Sequence, residues 1–127
     1  MSKVKLAISG CMGRMGQQLV KSSRIDKSFK LTALTENRLI KKNISGIKPS
    51  LNNENSFKNV DLIIDFTIPK CTFEILKIAS KLKKRVVIGT TGFSKMEELQ
   101  IKKFSKKNSY SKSWQYEFRH KSIDVFN

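Results

Sequence analysis

The sequence is poor in several residue types at once. It holds two cysteines and one histidine. Cys11 and Cys71 are too few and too far apart for a disulfide framework or, beside a lone imidazole, for a metal site. No apolar run approaches the roughly 20 residues that a membrane-spanning helix needs. Met1-Ser2-Lys3-Val4-Lys5 leads straight into a short apolar segment, without a signal-peptide core or a small-residue cleavage site. The expected setting is therefore the cytoplasm, with no membrane partner and no metal. Acidic residues are scarce too: 10 Asp and Glu stand against 26 Lys and Arg, for a formal charge of +16.

A basic excess of this size can signal nucleic-acid or membrane-surface binding. Its texture points elsewhere. Only Arg14, Arg24, Arg38, Arg85 and Arg119 are arginines, and the remaining 21 basic residues are lysines with no block longer than a pair. Arginine rather than lysine is the usual tool for bidentate phosphate or base recognition. Lysine, asparagine and isoleucine all have A/T-heavy codons, so genome bias accounts for the charge and no nucleic-acid partner is expected. What is present suffices for one domain: 127 residues, 39% of them hydrophobic and 9% aromatic.

Apolar runs and helical periodicities alternate along the chain. Val4 to Ser9 reads as a buried strand, and Met15, Leu19 and Val20 begin a helix that ends near Asp26. Phe29 to Leu34 reads as a second strand. Residues 39–59 are polar, with Gly46, Pro49 and several asparagines, and read as a loop with room for a short helix and strand. Val60 to Thr67 is an apolar run of the kind that parallel sheets bury on both faces. Pro69 suits a helix's first turn, and Phe73, Ile75, Leu76, Ile78, Ala79 and Leu82 give that helix a buried stripe. Arg85 to Ile88 is a further strand. Ser94 and Glu97 form a capping box that opens a last helix. This alternation predicts an α/β fold: a Rossmann-type doubly wound parallel sheet, incomplete at its C-terminal end.

Gly10-Cys11-Met12-Gly13-Arg14-Met15-Gly16 follows a strand and opens a helix, as a dinucleotide fingerprint requires. Gly10 would permit a tight turn, Gly13 close approach of a diphosphate, and Gly16 close packing of helix on strand. The diphosphate would rest on the helix N-terminus, with Arg14 adding charge. Met12 stands where the commoner G-x-G-x-x-G pattern has glycine, so the loop is a variant. Glu36 lies 20 residues beyond Gly16, at a strand end, where an acid accepts ribose hydroxyls. That favours NAD, yet Arg38, Lys41 and Lys42 lie close enough to meet the 2′-phosphate of NADP, and both cofactors stay open. Gly89-Thr90-Thr91-Gly92-Phe93 ends a later strand on the same side of the sheet and offers hydroxyls to a carboxamide or carboxylate. Asp65-Phe66-Thr67 would line the same crevice, with Asp65 either capping the next helix or touching a ligand. Cys71 and Phe73 read as helix residues.

With these motifs in hand, the chain resembles the N-terminal part of the 4-hydroxy-tetrahydrodipicolinate reductase (dihydrodipicolinate reductase) family. The glycine loop alone is generic. Ile64-Asp65-Phe66-Thr67 with Pro69 adds to it, and Val87-Ile88-Gly89-Thr90-Thr91-Gly92-Phe93 comes close to being diagnostic. The resemblance covers residues 1 to about 107. It implies NAD(P)H bound by Gly10, Cys11, Met12, Gly13, Arg14, Met15, Glu36 and Arg38, with Gly89, Thr90 and Thr91 at the nicotinamide side and Thr91 near the substrate. The implied reaction is hydride transfer to a cyclic imine-type intermediate of the diaminopimelate route to lysine, giving tetrahydrodipicolinate. A second family domain carries a His-His-x-x-x-Lys run for the small dicarboxylate substrate and a sheet for homo-oligomerisation. That domain is not found here, and no catalytic residue is assigned. Arg119-His120-Lys121 comes too early and lacks the surrounding elements.

After Lys107 the family pattern stops. Lys106-Lys107-Asn108 can be encoded by a run of A's followed by T. With A/T-rich codons and one A dropped, the sequence from Asn108 reads IPILKAGNMSLGINLLMFL, which supplies the expected strand, an Asn-Met-Ser segment and a helix start. Trp114, having a single codon, constrains that reading. The chain is therefore divided into a cofactor-binding domain (1–107) and an aberrant, frameshifted tail (108–127). Such a tail is expected to leave the Arg85–Ile88 strand with an open, aggregation-prone edge and the chain with negligible turnover. Two other classes compete: another NAD(P)-dependent dehydrogenase domain of the aspartate or homoserine type, and a basic nucleic-acid-binding module stacking bases on Tyr110, Trp114, Tyr116 and Phe118.

Overall fold

A computed structural model describes residues 3–108, 116–120 and 123–126, with side chains placed up to residue 104. The strands are β1 (Val4–Ser9), β2 (Phe29–Thr35), β3 (Leu62–Asp65), β4 (Arg85–Ile88), β5 (Tyr116–His120) and β6 (Ile123–Phe126). The helices are α1 (Arg14–Ile25), α2 (Glu54–Phe57), α3 (Pro69–Leu82) and α4 (Lys95–Asn108). The sheet order is β2-β1-β3-β4-β5-β6. All pairings from β2 through β5 are parallel, and β6 runs antiparallel to β5.

Strand alternation divides the core between the two faces of the sheet. Leu6 and Ile8 of β1 join Cys11, Val20 of α1 and Leu34 on one face. Ala7, Ile63, Val86 and Ile88 point the other way and pack with Ile75, Leu76 and Ala79 of α3 and with Ile101 of α4. Full burial of each such aliphatic side chain contributes about 1.5–3 kcal/mol. The illegible stretch 39–59 also feeds this core, because the short helix α2 buries Phe57 and the chain beyond it buries Val60. Asn53 caps α2 by accepting the Ser56 N–H at 3.0 Å.

The expected helix-start devices are present. Pro69 opens α3. The Glu97 carboxylate accepts the Ser94 N–H at 2.8 Å, while the Glu97 N–H donates to Ser94 Oγ at 3.1 Å. One expectation is corrected. The edge of β4 is not open: Val86, Val87 and Ile88 pair with Tyr116, Glu117 and Phe118. The exposed N–H and C=O groups of a parallel strand accept any extended segment that reaches them, and the alternating aromatic run Tyr-Glu-Phe has the propensity to be one.

β1 pairs with β2 on one side and β3 on the other. The chain therefore winds in opposite directions from β1, and the C-terminal end of β1 is a topological switch point, where ligands bind in open α/β sheets. The glycine loop begins there.

Candidate functional site

Two strand-to-helix junctions meet at the switch point. In the first, Gly10 turns the chain at φ +84°, a left-handed conformation that disfavours any side chain. Its N–H and that of Cys11 both donate to the Thr35 carbonyl, at 3.0 and 3.3 Å, which ties the loop to β2. Space as well as φ excludes a side chain: a Cβ on Gly10 would lie 2.2 Å from the Phe66 carbonyl oxygen, and one on Gly16 would lie 2.0 Å from the Gly10 carbonyl oxygen. Gly16 thus seats α1 directly on the loop.

Gly13 differs. A Cβ there would meet nothing nearer than the Gly10 carbonyl oxygen at 3.4 Å. Gly13 is the N-cap of α1, no side chain caps it, and the first turn carries no acid. The leading N–H groups of a helix lack intrahelical acceptors and carry partial positive charge. An uncapped, glycine-fronted N-terminus at a sheet switch point fits a diphosphate. Arg14 and Met15 are exposed on that turn, and Cys11 is fully buried, so only the backbone of Cys11 faces the loop. Burial first, and then the neighbouring Glu36 charge, push the Cys11 thiol up to about 11, with Arg38 opposing. The thiol is protonated and inert at neutral pH.

Glu36 continues from the end of β2 and closes on the loop. Its Oε2 accepts the Met12 N–H at 3.0 Å and its Oε1 accepts the Asn37 N–H at 3.0 Å. Each oxygen keeps acceptor capacity beyond these bonds. A cavity of about 180 Å³ opens between the junctions, lined by Gly10, Gly13, Glu36, Asn37, Phe66, Thr67 and Ile68. A larger hollow of about 430 Å³ shares Glu36, Asn37 and Ile68 with it and extends along Leu51, Asn52, Lys70, Cys71 and Glu74. Arg38 is exposed just beyond Glu36.

The second junction, β3 to α3, is built around Asp65, which is fully buried. Its Oδ1 accepts the Thr67 hydroxyl and, at 3.2 Å, the Thr67 N–H. Its Oδ2 accepts the Thr72 hydroxyl and, at 3.0 Å, the Thr90 hydroxyl. Thr90 Oγ1 in turn accepts the Thr67 N–H at 2.8 Å. Asp65 therefore binds the ends of β3 and β4 to the first turn of α3. Burial holds its carboxyl above the ordinary carboxylate range, against the three hydroxyls, which pull it down. Thr90 is 2% exposed and its hydroxyl is committed to this cluster, whereas Thr91 is exposed at the lip of the turn. Gly89 is required by packing, since a Cβ would lie 2.3 Å from the Phe66 ring.

The structure thus gathers Gly10, Met12, Gly13 and Glu36 with Thr67 at one mouth, and puts Gly89, Thr90 and Thr91 across Phe66 from them. Asn37, Leu51, Asn52, Ile68 and Lys70 were not anticipated as lining residues. Leu51 and Asn52 come from the stretch with no legible periodicity, and only the exposed isoleucine before Pro69 offered a sequence signal. Among the described residues no group of three or more His, Cys, Asp and Glu could hold a metal ion, and no helix is long and apolar enough to cross a membrane.

Fold and site together define a Rossmann-type α/β domain with a dinucleotide-type glycine loop at its switch point. The same architecture recurs in a homoserine dehydrogenase from S. aureus, with a TM-score of 0.71, 16% identity and coverage of 94% of this chain and 33% of that one. At that identity the likeness concerns the fold alone. The sequence profile described as "Dihydrodipicolinate reductase, N-terminus" matches residues 4–115, and the chain belongs to that family. A 4-hydroxy-tetrahydrodipicolinate reductase from Pelagibacter ubique (strain HTCC1062) is 70% identical over 106 residues, which is 84% of this chain and 41% of that protein. A dipicolinate-bound dihydrodipicolinate reductase from Paenisporosarcina sp. TG-14 superposes with a TM-score of 0.67 at 25% identity, over 84% of this chain and 44% of its own. The chain spans less than half the length of these relatives.

Proposed function

We propose that this chain is the cofactor-holding portion of a 4-hydroxy-tetrahydrodipicolinate reductase, an NAD(P)H-dependent oxidoreductase of lysine biosynthesis. The supporting observation is the uncapped N-terminus of α1 behind Gly13, facing Glu36 across a cavity, in a chain of this family. The Gly13–Met15 turn receives the diphosphate, with Arg14 beside it. Glu36 accepts ribose hydroxyls while its bond to the Met12 N–H keeps the loop in register. Arg38 is available to a 2′-phosphate, so both cofactors are accommodated. Thr91, exposed at the end of β4, lies on the nicotinamide and substrate side, and Thr90 serves from beneath by holding that turn in place. Bound NAD(P)H supplies the hydride.

Turnover of 4-hydroxy-tetrahydrodipicolinate needs contacts beyond those that residues 1–107 provide, because loss of substrate contacts removes transition-state binding as well as affinity. Residues 108–127 are read as a frameshifted continuation after the A-rich Lys106-Lys107 codons. NADH and NADPH fluorescence titrations of the 127-residue chain, run beside a restored-frame version, test both statements. The expected result is cofactor binding by both proteins and reductase activity in the restored frame alone. Robust turnover by the 127-residue chain, or no nucleotide binding by either protein, overturns the reading. Resequencing the locus tests the frameshift separately. An A-tract of unambiguous length, with no reductase second half in another frame, sinks it.

A further inference from the structure

The turn that follows β4 is held at both ends and unsupported between them. Upstream, the Gly89 N–H donates to the Asp65 carbonyl at 2.7 Å and the Thr90 hydroxyl to Asp65 Oδ2 at 3.0 Å. Downstream, the half-buried ring of Phe93 meets that of Phe73 edge to face, with centroids 6.3 Å apart and planes at 89°. Ser94 then enters the capping box of α4. Thr91 and Gly92 lie between these anchors, exposed, and neither makes a hydrogen bond among the described residues. Gly92 sits at φ +90° with nothing within 4 Å of a Cβ, so its glycine answers to the backbone bend and not to packing. An exposed bridge with no bonds of its own takes its position from what holds its ends.

Both anchors run to consecutive residues of α3. Thr72 donates to the same Asp65 Oδ2 that takes the Thr90 hydroxyl, and the next residue, Phe73, supplies the ring against Phe93. An edge-to-face pair prefers one mutual orientation, because the positive ring edge seeks the negative face. A leucine would fill the same space without fixing a direction. We propose that Phe73 is a positioning residue for the nicotinamide side of the site. Through Phe93 it fixes the downstream end of the turn, and so the place of Thr91. This rests on the cofactor reading above and deepens it. Phe73 acts from within the packed cluster of α3 and α4 and not by contact with a ligand.

The test is titration of the full chain with NADH and with ADP, which keeps the adenosine and diphosphate and lacks the nicotinamide. Phe73→Leu should weaken NADH about three- to tenfold, the range of one aromatic pair, and leave ADP within about twofold. Phe73→Tyr keeps the ring and should restore NADH to within about twofold of the starting protein. Phe93→Leu should give the same split, and the double variant should lose no more than either single one, since the two rings act as one contact. Leu82→Ala, at the far end of α3, should lower the melting temperature and leave the ratio of the two affinities unchanged. Several results would overturn the proposal: equal losses for NADH and ADP, no recovery with tyrosine, a split with Phe93→Leu alone, or a starting chain that binds NADH no more tightly than ADP. If Phe73→Leu does not fold, Phe93→Leu with Phe93→Tyr decides the same point. If the starting chain binds neither nucleotide, it is the cofactor reading that fails.

Discussion

The two strand-to-helix junctions at the switch point are neighbours of opposite character. Their backbones touch, with the Phe66 N–H donating to the Ser9 carbonyl at 3.0 Å. At β1–α1, glycines strip away side chains and the helix starts without a cap, so its polar groups face outward and are available. At β3–α3, a buried carboxylate gathers three hydroxyls and a backbone N–H, and a proline opens the helix, so its polar groups are used up inside. One junction keeps free donors for a ligand, while the other spends its donors on rigidity. The division makes physical sense, because free donors bind well only if the wall opposite them does not move.

Five changes test that division, from the largest expected effect to the smallest. Gly16→Ala should be the most damaging, since its Cβ would overlap backbone atoms of the loop that have no freedom to retreat. A loss of about 3 kcal/mol or more in urea unfolding is expected, and a loss below about 1 kcal/mol would mean that α1 is not locked to the loop. Thr72→Val comes next: it removes one donor from a buried carboxylate and should cost about 1–3 kcal/mol with little change in the first junction.

The charge state of Asp65 adds a pH signature. Its folded pKa lies above the unfolded value, so its contribution to stability is fully present below the ordinary carboxylate pKa and is lost as pH rises through the raised one. Asp65→Asn, which cannot ionise, should flatten that part of the profile when urea midpoints are compared from about pH 4 to 8. An identical slope in both proteins would remove Asp65 as its source.

Gly13→Ala should separate the junctions most clearly. Its Cβ has room in the fold but occupies space that a diphosphate would need. NADH affinity should fall about tenfold, or about 1.4 kcal/mol, with the urea midpoint nearly unmoved. Unchanged affinity would place the diphosphate elsewhere. The smallest effect has the opposite sign. Thr35 Oγ1, at the end of β2, is buried and is the one buried side-chain polar atom without a hydrogen-bond partner among the described residues. Thr35→Val removes that orphan at similar volume and should stabilise the fold by about 1 kcal/mol. Destabilisation by a similar amount would show that the hydroxyl has a partner in solution.

Many of the devices that build this candidate site are legible in the sequence, because they are local. A strand running into glycines and then a helix, an acid at the end of the next strand, a proline in a helix's first turn and a Ser-x-x-Glu box each work within a few residues. The stretch 39–59 was not readable. Its order comes from distant partners: Glu36 N–H to the Ser50 carbonyl at 2.9 Å, Ser50 N–H to the Leu34 carbonyl at 2.9 Å, and Ser9 Oγ to Asn52 Oδ1 at 3.0 Å. Asp65 was legible only as a choice between cap and ligand contact, and the structure gave it a third role, as a hub. Its donors sit two, seven and 25 residues away in sequence, and only the pairing of Asp65 with Ile88 across β3 and β4 brings Thr90 to it.

Composition, periodicity and turn chemistry were therefore enough to mark an α/β nucleotide-binding chain with a glycine loop and an acid at the end of the next strand. Those properties depend on neighbours a few residues apart, and the chain carries them wherever it goes. The strand order, the covering of the β4 edge by Tyr116–His120, the anchoring of Glu36 to Met12 and the gathering of three threonine hydroxyls around Asp65 were decided only by the fold. Each depends on which strands lie side by side and in which register, and register is a property of the assembled sheet rather than of any one segment.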